Sequence, residues 1–150
     1  SVTFAVIIRV FSGVDNTNVW DVTPSSLTFS SSTTGTTATA PSMTTITDGA
    51  MGILAFFTDG APGYSSPTNG YGTEIETTVS QTIATYIRTF ATSTTTGTSA
   101  ATLGASNNWV AHQFALKPAA EGGVPNGTTG YKFFLAIGKF FWGIGKLMIQ

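Results

Sequence analysis

Apolar and polar residues alternate with period two along most of this chain. Gly, Pro and Asp-Gly pairs interrupt the alternation about every 8–12 residues, a spacing that favours antiparallel strands joined by turns. Val2, Phe4, Val6, Ile8 and Val10 alternate with Thr3, Ala5, Ile7, Arg9 and Phe11, which predicts a long first strand buried mostly on both faces. Ser12-Gly13-Val14-Asp15-Asn16 ends it with turn residues. From Thr23 to Ala40 the chain is Ser/Thr-rich and should be extended, as edge strands or a surface loop, with Leu27 and Phe29 as its apolar anchors. Met43–Thr47, the Asp48-Gly49 turn and the apolar run Ala50–Thr58 follow. That run is the best candidate for a central strand, closed by Asp59-Gly60. Pro62–Gly72 reads as an irregular loop, Thr73–Ser80 and Gln81–Thr92 as strands, and Ser93–Gly97 as a Thr-rich turn. Asn107–Lys117 is a last strand, stopped by Pro118. No window before residue 130 carries a helical period with caps. The expected fold is all-β, an antiparallel β-sandwich of jelly-roll-like type over residues 1–118.

Composition narrows what such a sandwich does. Charged residues make up 9% of the 150, whereas 28 are Thr and 14 are Ser. A surface wetted by hydroxyls has little self-repulsion between copies, which favours a protein that works in an array or faces an outside medium. A net charge of −1 argues against a nucleic-acid partner, which calls for a basic face. The absence of Cys excludes disulfides, thiolate metal sites and a thiol nucleophile. Ser1-Val2-Thr3-Phe4 has no basic segment ahead of an apolar run, which suggests a processed product or simply the first ordered residue and does not mean cytoplasm. The low charge and many hydroxyls lead to an extracellular or virion-surface setting as the expectation.

Few residues are available for catalysis. His112 stands alone and reads as a structural, hydrogen-bonded His, because a zinc site needs several ligands. Glu74 and Glu76 share a face of a strand, and Asp15 and Asp21 lie six apart in a loop. A glycosidase needs two carboxyls flanking a cleft with aromatic platforms. Trp20, Tyr64 and Tyr71 are the sugar-stacking candidates, and cell-surface glycans the corresponding partner. Solvated strand residues are the plainer reading of the glutamates, as turn residues are of Asp48 and Asp59. No cofactor, metal or catalytic residue is assigned, and the chain is read as non-enzymatic. Asn126-Gly127-Thr128 is a glycosylation sequon.

Residues 119–130 form a Gly/Pro/Asn linker, and residues 131–150 break the earlier pattern. Lys132, Lys139 and Lys146 recur every seven residues, each followed by two large apolar side chains. A period of seven is helical, since an odd repeat on a strand sends alternate lysines to opposite faces. Gly138, Gly143 and Gly145 weaken a helix, so a pair of closing strands remains an alternative. In either form Phe133, Phe134, Ile137, Phe140, Phe141, Trp142, Ile144, Leu147 and Ile149 need a cover. Other copies of the chain, joined as a homo-oligomer or fibre, are the expected one; membrane contact through the cationic segment is an alternative.

Phe11-Ser12-Gly13-Val14-Asp15, Thr44-Thr45-Ile46-Thr47-Asp48-Gly49-Ala50 and Trp109-Val110-Ala111-His112-Gln113-Phe114-Ala115-Leu116-Lys117-Pro118 resemble elements of β-sandwich modules in phage structural proteins and bacterial extracellular proteins. The resemblance implies a jelly-roll-like surface module with no catalytic residues to carry over. Such modules have further strands ahead of the first one here, so it also implies either a shortened version of the module or strands supplied by a neighbouring copy or by residues 131–150. The leading expectation is a structural subunit that self-assembles into a virion-surface or extracellular fibre or array. A carbohydrate-binding adhesive module and a membrane-anchored surface protein are the alternatives.

Overall fold

A computed structural model describes residues 5–22, 30–32, 35–120 and 133–138; for 30–32, Thr73 and 133–138 it describes the backbone. Among these residues the protein is all-β and sandwich-like, without helix. The strands are β1 (Val6–Phe11), β2 (Ser30–Ser32), β3 (Thr37–Ala40), β4 (Met51–Asp59), β5 (Tyr64–Ser65), β6 (Gly72–Thr78), β7 (Gln81–Thr89), β8 (Ser99–Leu103), β9 (Trp109–Leu116) and β10 (Phe133–Gly138).

The central strand expected at Ala50–Thr58 is β4, and the largest sheet is built around it. Its five strands run in the order β2-β9-β4-β7-β6, all antiparallel. A second sheet has the order β3-β8-β5, and β1 pairs with β10 in a two-stranded ribbon. The five-stranded sheet is covered on both faces. Leu54, Phe56, Ala84, Tyr86, Ala111 and Ala115 point to the three-stranded sheet, where Ala38, Ala40, Ala101 and Leu103 meet them. The opposite face carries Ile53, Phe114 and Leu116 against Phe11, and Ile83 and Phe57 against Ala5 and Ile7. Double-sided burial is why β4 reads as an unbroken apolar run and not as a strict alternation.

Turn chemistry places the strand ends. Gly49 and Gly60 take φ of 81° and 102° after Asp48 and Asp59, a region that costs a side-chain-bearing residue energy. Asp48 Oδ1 accepts the Ser93 N–H at 2.7 Å, tying this turn to the one after β7. Asp21 is buried, and its two oxygens accept the N–H groups of Ile46 (2.7 Å) and Thr47 (2.9 Å).

Two expectations are corrected. β1 is buried on one face alone, with Ile7, Arg9 and Phe11 inward and Val6, Ile8 and Val10 outward. Between β3 and β4, threonine side chains hold Met43–Thr47 in place. Thr45 Oγ1 accepts from Thr94 N–H at 2.9 Å, and Thr96 Oγ1 accepts from Met43 N–H at 3.1 Å. Tyr64–Ser65 is a short strand inside the segment expected to be an irregular loop, and Ser99–Leu103, to which the sequence assigned no element, is a strand as well.

Gly52 sits where β4 passes Phe90 and Tyr71. A Cβ there would lie 2.4 Å from Phe90 Cε2 and 2.8 Å from the Tyr71 hydroxyl. Phe90 is buried and Tyr71 donates to Gln113, so neither can give way easily. Gly52→Ala is expected to lower stability by about 1–3 kcal/mol, the cost of overpacking, read from the urea-unfolding midpoint.

Candidate assembly surface

β1 is held by one polar anchor between two apolar ones. Phe11 and Ile7 enter the clusters described above, and between them Arg9 reaches the middle sheet. Its Nε donates to Thr85 Oγ1 at 2.7 Å and its Nη2 to the Thr85 carbonyl. Thr85 lies opposite Ala55, whose small side chain leaves room for the guanidinium, and His112 flanks Ala55 on the other side. Burial pulls the Arg9 pKa below its usual value, although a guanidinium stays charged throughout the physiological range. Fixing Ile7, Arg9 and Phe11 inward leaves Val6, Ile8 and Val10 outward, because strand side chains alternate. These are 41%, 60% and 49% exposed. Three β-branched or aliphatic side chains in a row on an outer face are an unusual surface for a chain so rich in hydroxyls.

β10 extends this ribbon. Its register sets Phe133 opposite Phe11, Phe134 opposite Val10, Ala136 opposite Ile8 and Ile137 opposite Ile7. Among the assembly residues expected from the sequence, Phe133, Phe134 and Ile137 therefore fall in a strand beside β1 of the same chain. Over 133–138 the backbone is a strand and not the helix that the lysine period suggested. Phe140, Phe141, Trp142, Ile144, Leu147, Ile149, the three lysines and Asn126 lie outside the described residues. Among the described residues, β10 and β1 pair with each other alone.

The sugar-stacking candidates do not share a surface. Tyr64 is buried and stacks on Phe56 with centroids 5.0 Å apart, and Tyr71 is buried edge-on to Phe90 at 6.3 Å. Trp20 packs edge-on to Phe114 at 5.7 Å, on the opposite face of the middle sheet. His112 is buried and stacked on Phe114 at 5.5 Å. Asp15 and Asp21 serve the backbone. Asp15 Oδ1 accepts from Thr17 and Asn18 N–H and its Oδ2 meets Lys117 Nζ at 3.1 Å, bonds that lower its pKa. No group of three or more His, Cys, Asp or Glu is arranged to hold a metal among the described residues.

Sequence reasoning missed how Glu74 and Glu76 are used. Glu74 Oε1 accepts the Tyr86 hydroxyl at 2.5 Å. Glu76 Oε2 accepts the Tyr64 N–H at 2.7 Å, so a side chain of β6 grips the backbone of β5. Burial raises the Glu76 pKa, the Tyr64 N–H bond pulls it back down, and the neighbouring Glu74 raises it again, leaving it above its ordinary value. The period-two spacing put both on one face; nothing in the sequence showed that β5 would come within their reach. Gln113 was also missed. Buried on β9, its Oε1 accepts from Ser99 Oγ (3.0 Å) and Tyr71 Oη (3.1 Å) while its Nε2 reaches Thr96, Gly97 and Pro41. No protein-family model, curated protein or solved structure matches this chain.

The outward aim of Val6, Ile8 and Val10 depends on Arg9. Arg9→Ala removes charge-assisted hydrogen bonds worth about 1.5–3 kcal/mol each and leaves the Thr85 carbonyl with one donor fewer. A fall in the urea midpoint of at least that size is expected, together with faster hydrogen exchange in β1.

Proposed function

We propose that the chain is a non-enzymatic structural subunit, a jelly-roll-like β-sandwich that self-associates into an array or fibre on a virion or in an extracellular setting. The supporting observation is the outward row of Val6, Ile8 and Val10 on a ribbon whose two strands pair, among the described residues, with each other alone. Covering a Val or Ile side chain fully is worth about 1.5–3 kcal/mol, so a row of three on each of two copies supplies a meaningful drive to associate. In this reading the ribbon's edges add backbone pairing, the usual route by which a sheet continues into a neighbour. Low charge density removes the repulsion that keeps most surfaces apart. The same composition suits neither a nucleic-acid partner nor a polar catalytic cleft. The tail beyond β10, rich in Phe, Trp and Ile, supplies further apolar contacts in this reading.

Ile8→Lys places a charge at the middle of the row without touching the inward anchors. Sedimentation velocity over a concentration series is expected to show association of the unaltered protein. In Ile8→Lys association weakens at least about tenfold, or 1.4 kcal/mol, while the urea midpoint shifts by no more than about 0.5 kcal/mol. An unaltered protein that stays monomeric at the highest concentration, or a variant that associates equally well, contradicts the reading.

A further inference from the structure

We propose that the outer face of the three-stranded sheet is a second self-association surface, which takes the same face of another copy and carries assembly past the dimer. It rests on the self-association reading and extends it. Copies joined only through a self-matching ribbon face close as a two-fold dimer, so growth into a fibre or array needs another contact aimed elsewhere. The fold has one in the required place. The ribbon covers one face of the five-stranded sheet and the three-stranded sheet covers the other, so their outer surfaces look in opposite directions.

The residues that point outward are set by those that point in. Ala38, Ala40, Ala101, Leu103 and Tyr64 are buried, which turns Thr37, Thr39, Ala100, Thr102 and Ser65 to the outside. Strand pairing aligns them. Ser65, Thr102 and Thr37 form one row across β5, β8 and β3, and Ala100 and Thr39 form the next. Past the ends of β3 and β8 the pairing resumes in the same register, where Thr44 bridges Thr95. Both of these threonines are exposed, while Met43 and Thr45 beside them are buried. Each of these outward positions carries Thr, Ser or Ala. No Asp, Glu, Lys or Arg occurs in β3, β5, β8 or residues 43–45 and 94–98.

Such a face fits its own copy better than other partners. A nucleic acid or an anionic membrane calls for basic side chains, and an apolar protein groove for aromatic or long aliphatic anchors; these positions offer neither. A hydroxyl is donor and acceptor at once, so a field of hydroxyls bonds to its own image, which a field of one charge cannot. The same bond is already made within the chain, where Thr44 Oγ1 and Thr95 Oγ1 lie 3.0 Å apart. Threonine is stiff about χ1, so ordering it against a neighbour costs little entropy, and no charge has to leave water. Size sets the strength. The stretch from Thr37 to Thr44 at about 3.3 Å per residue, by three strands about 4.8 Å apart, gives about 300–400 Å² per copy. A stable dimer buries about 800 Å² per partner, so this face alone is weak. The ribbon contact therefore forms first, and the hydroxyl face links the resulting dimers at higher concentration.

Sedimentation velocity over a concentration series reads both stages. The unaltered protein is expected to pass through a dimer to larger species. Thr102→Lys puts a charge in the middle of the row of Ser65, Thr102 and Thr37 without touching a buried side chain. It is expected to keep the unaltered dimerisation and urea midpoint, and to raise the concentration at which larger species appear at least about tenfold. An unaltered protein that stops at the dimer, or Thr102→Lys that grows at the unaltered concentration, overturns this second surface and leaves the ribbon reading standing. A folded Thr102→Lys that is monomeric also overturns it, because the face would then be the first contact and not the second. An unaltered protein that stays monomeric overturns both. Should Thr102→Lys fail to fold, Thr37→Lys on edge strand β3 takes its place with the same outcomes.

Discussion

A sheet buried on both faces is the constraint from which the rest of this structure follows. Burying one face of a strand needs one covering layer; burying both needs two, and each must be fitted to the residues it meets. The middle sheet meets that demand with complementary sizes across its strands. Phe56 lies between Ala84 and Ala111, so a large ring has small neighbours on both sides. Ala55, on the other face, lies between Thr85 and His112 and leaves the space that Arg9 fills. Removing the cover from either face would expose Ile53, Phe57, Leu54 or Phe56 to water, at about 25 cal/mol per Å² of apolar surface.

The two covers differ in kind. The three-stranded sheet presents Ala38, Ala40 and Ala101, small side chains that let two sheets approach closely. The ribbon side presents Ile7, Arg9 and Phe11 from one strand, a narrower cover whose centre is polar. That narrowness has a consequence for function. A covering strand has two faces, and satisfying the inner one with alternate residues leaves Val6, Ile8 and Val10 on the outer one. The need to bury the core and the presence of an apolar outer surface thus come from the same six residues of β1. Elsewhere side chains do the fastening. Asp21, Gln113, Thr45 and Thr96 hold loops that lack ladder partners, which suits a chain with many hydroxyls and few charges.

What was legible in the sequence was what depends on local pattern. β4, β7 and β9 announced themselves through apolar runs and alternation; the two Asp-Gly pairs marked the ends of β4 and Pro118 the end of β9. Strand β8 was not legible because Ser99-Ala-Ala-Thr-Leu103 carries one large apolar residue, and its alanines matter only against the facing sheet. β1 misled because Val, Ile and Phe at successive positions imply burial on both sides, whereas a covering strand buries every second one. The lysine period suggested a helix over a stretch whose first part is a strand, since pairing with β1 outweighs a local periodicity. The glutamate pair was legible as a shared face and no further. Its partners, Tyr64 and Tyr86, come from β5 and β7, and only the fold brings them to β6. Tyr64 and Tyr71 looked like surface rings because their loop is rich in Gly and Pro, yet loop residues next to a core supply it with rings as readily as strands do.

Native-state hydrogen exchange across β4 tests the double-sided sheet most directly. Amides of Ile53–Phe57 should exchange only through global unfolding, with the same free energy and denaturant dependence as the whole protein, and β1 and β5 should open earlier. Slowest exchange centred instead on the β3-β8 pair, with β4 opening at lower free energy, would show that the middle sheet is not the structure's foundation.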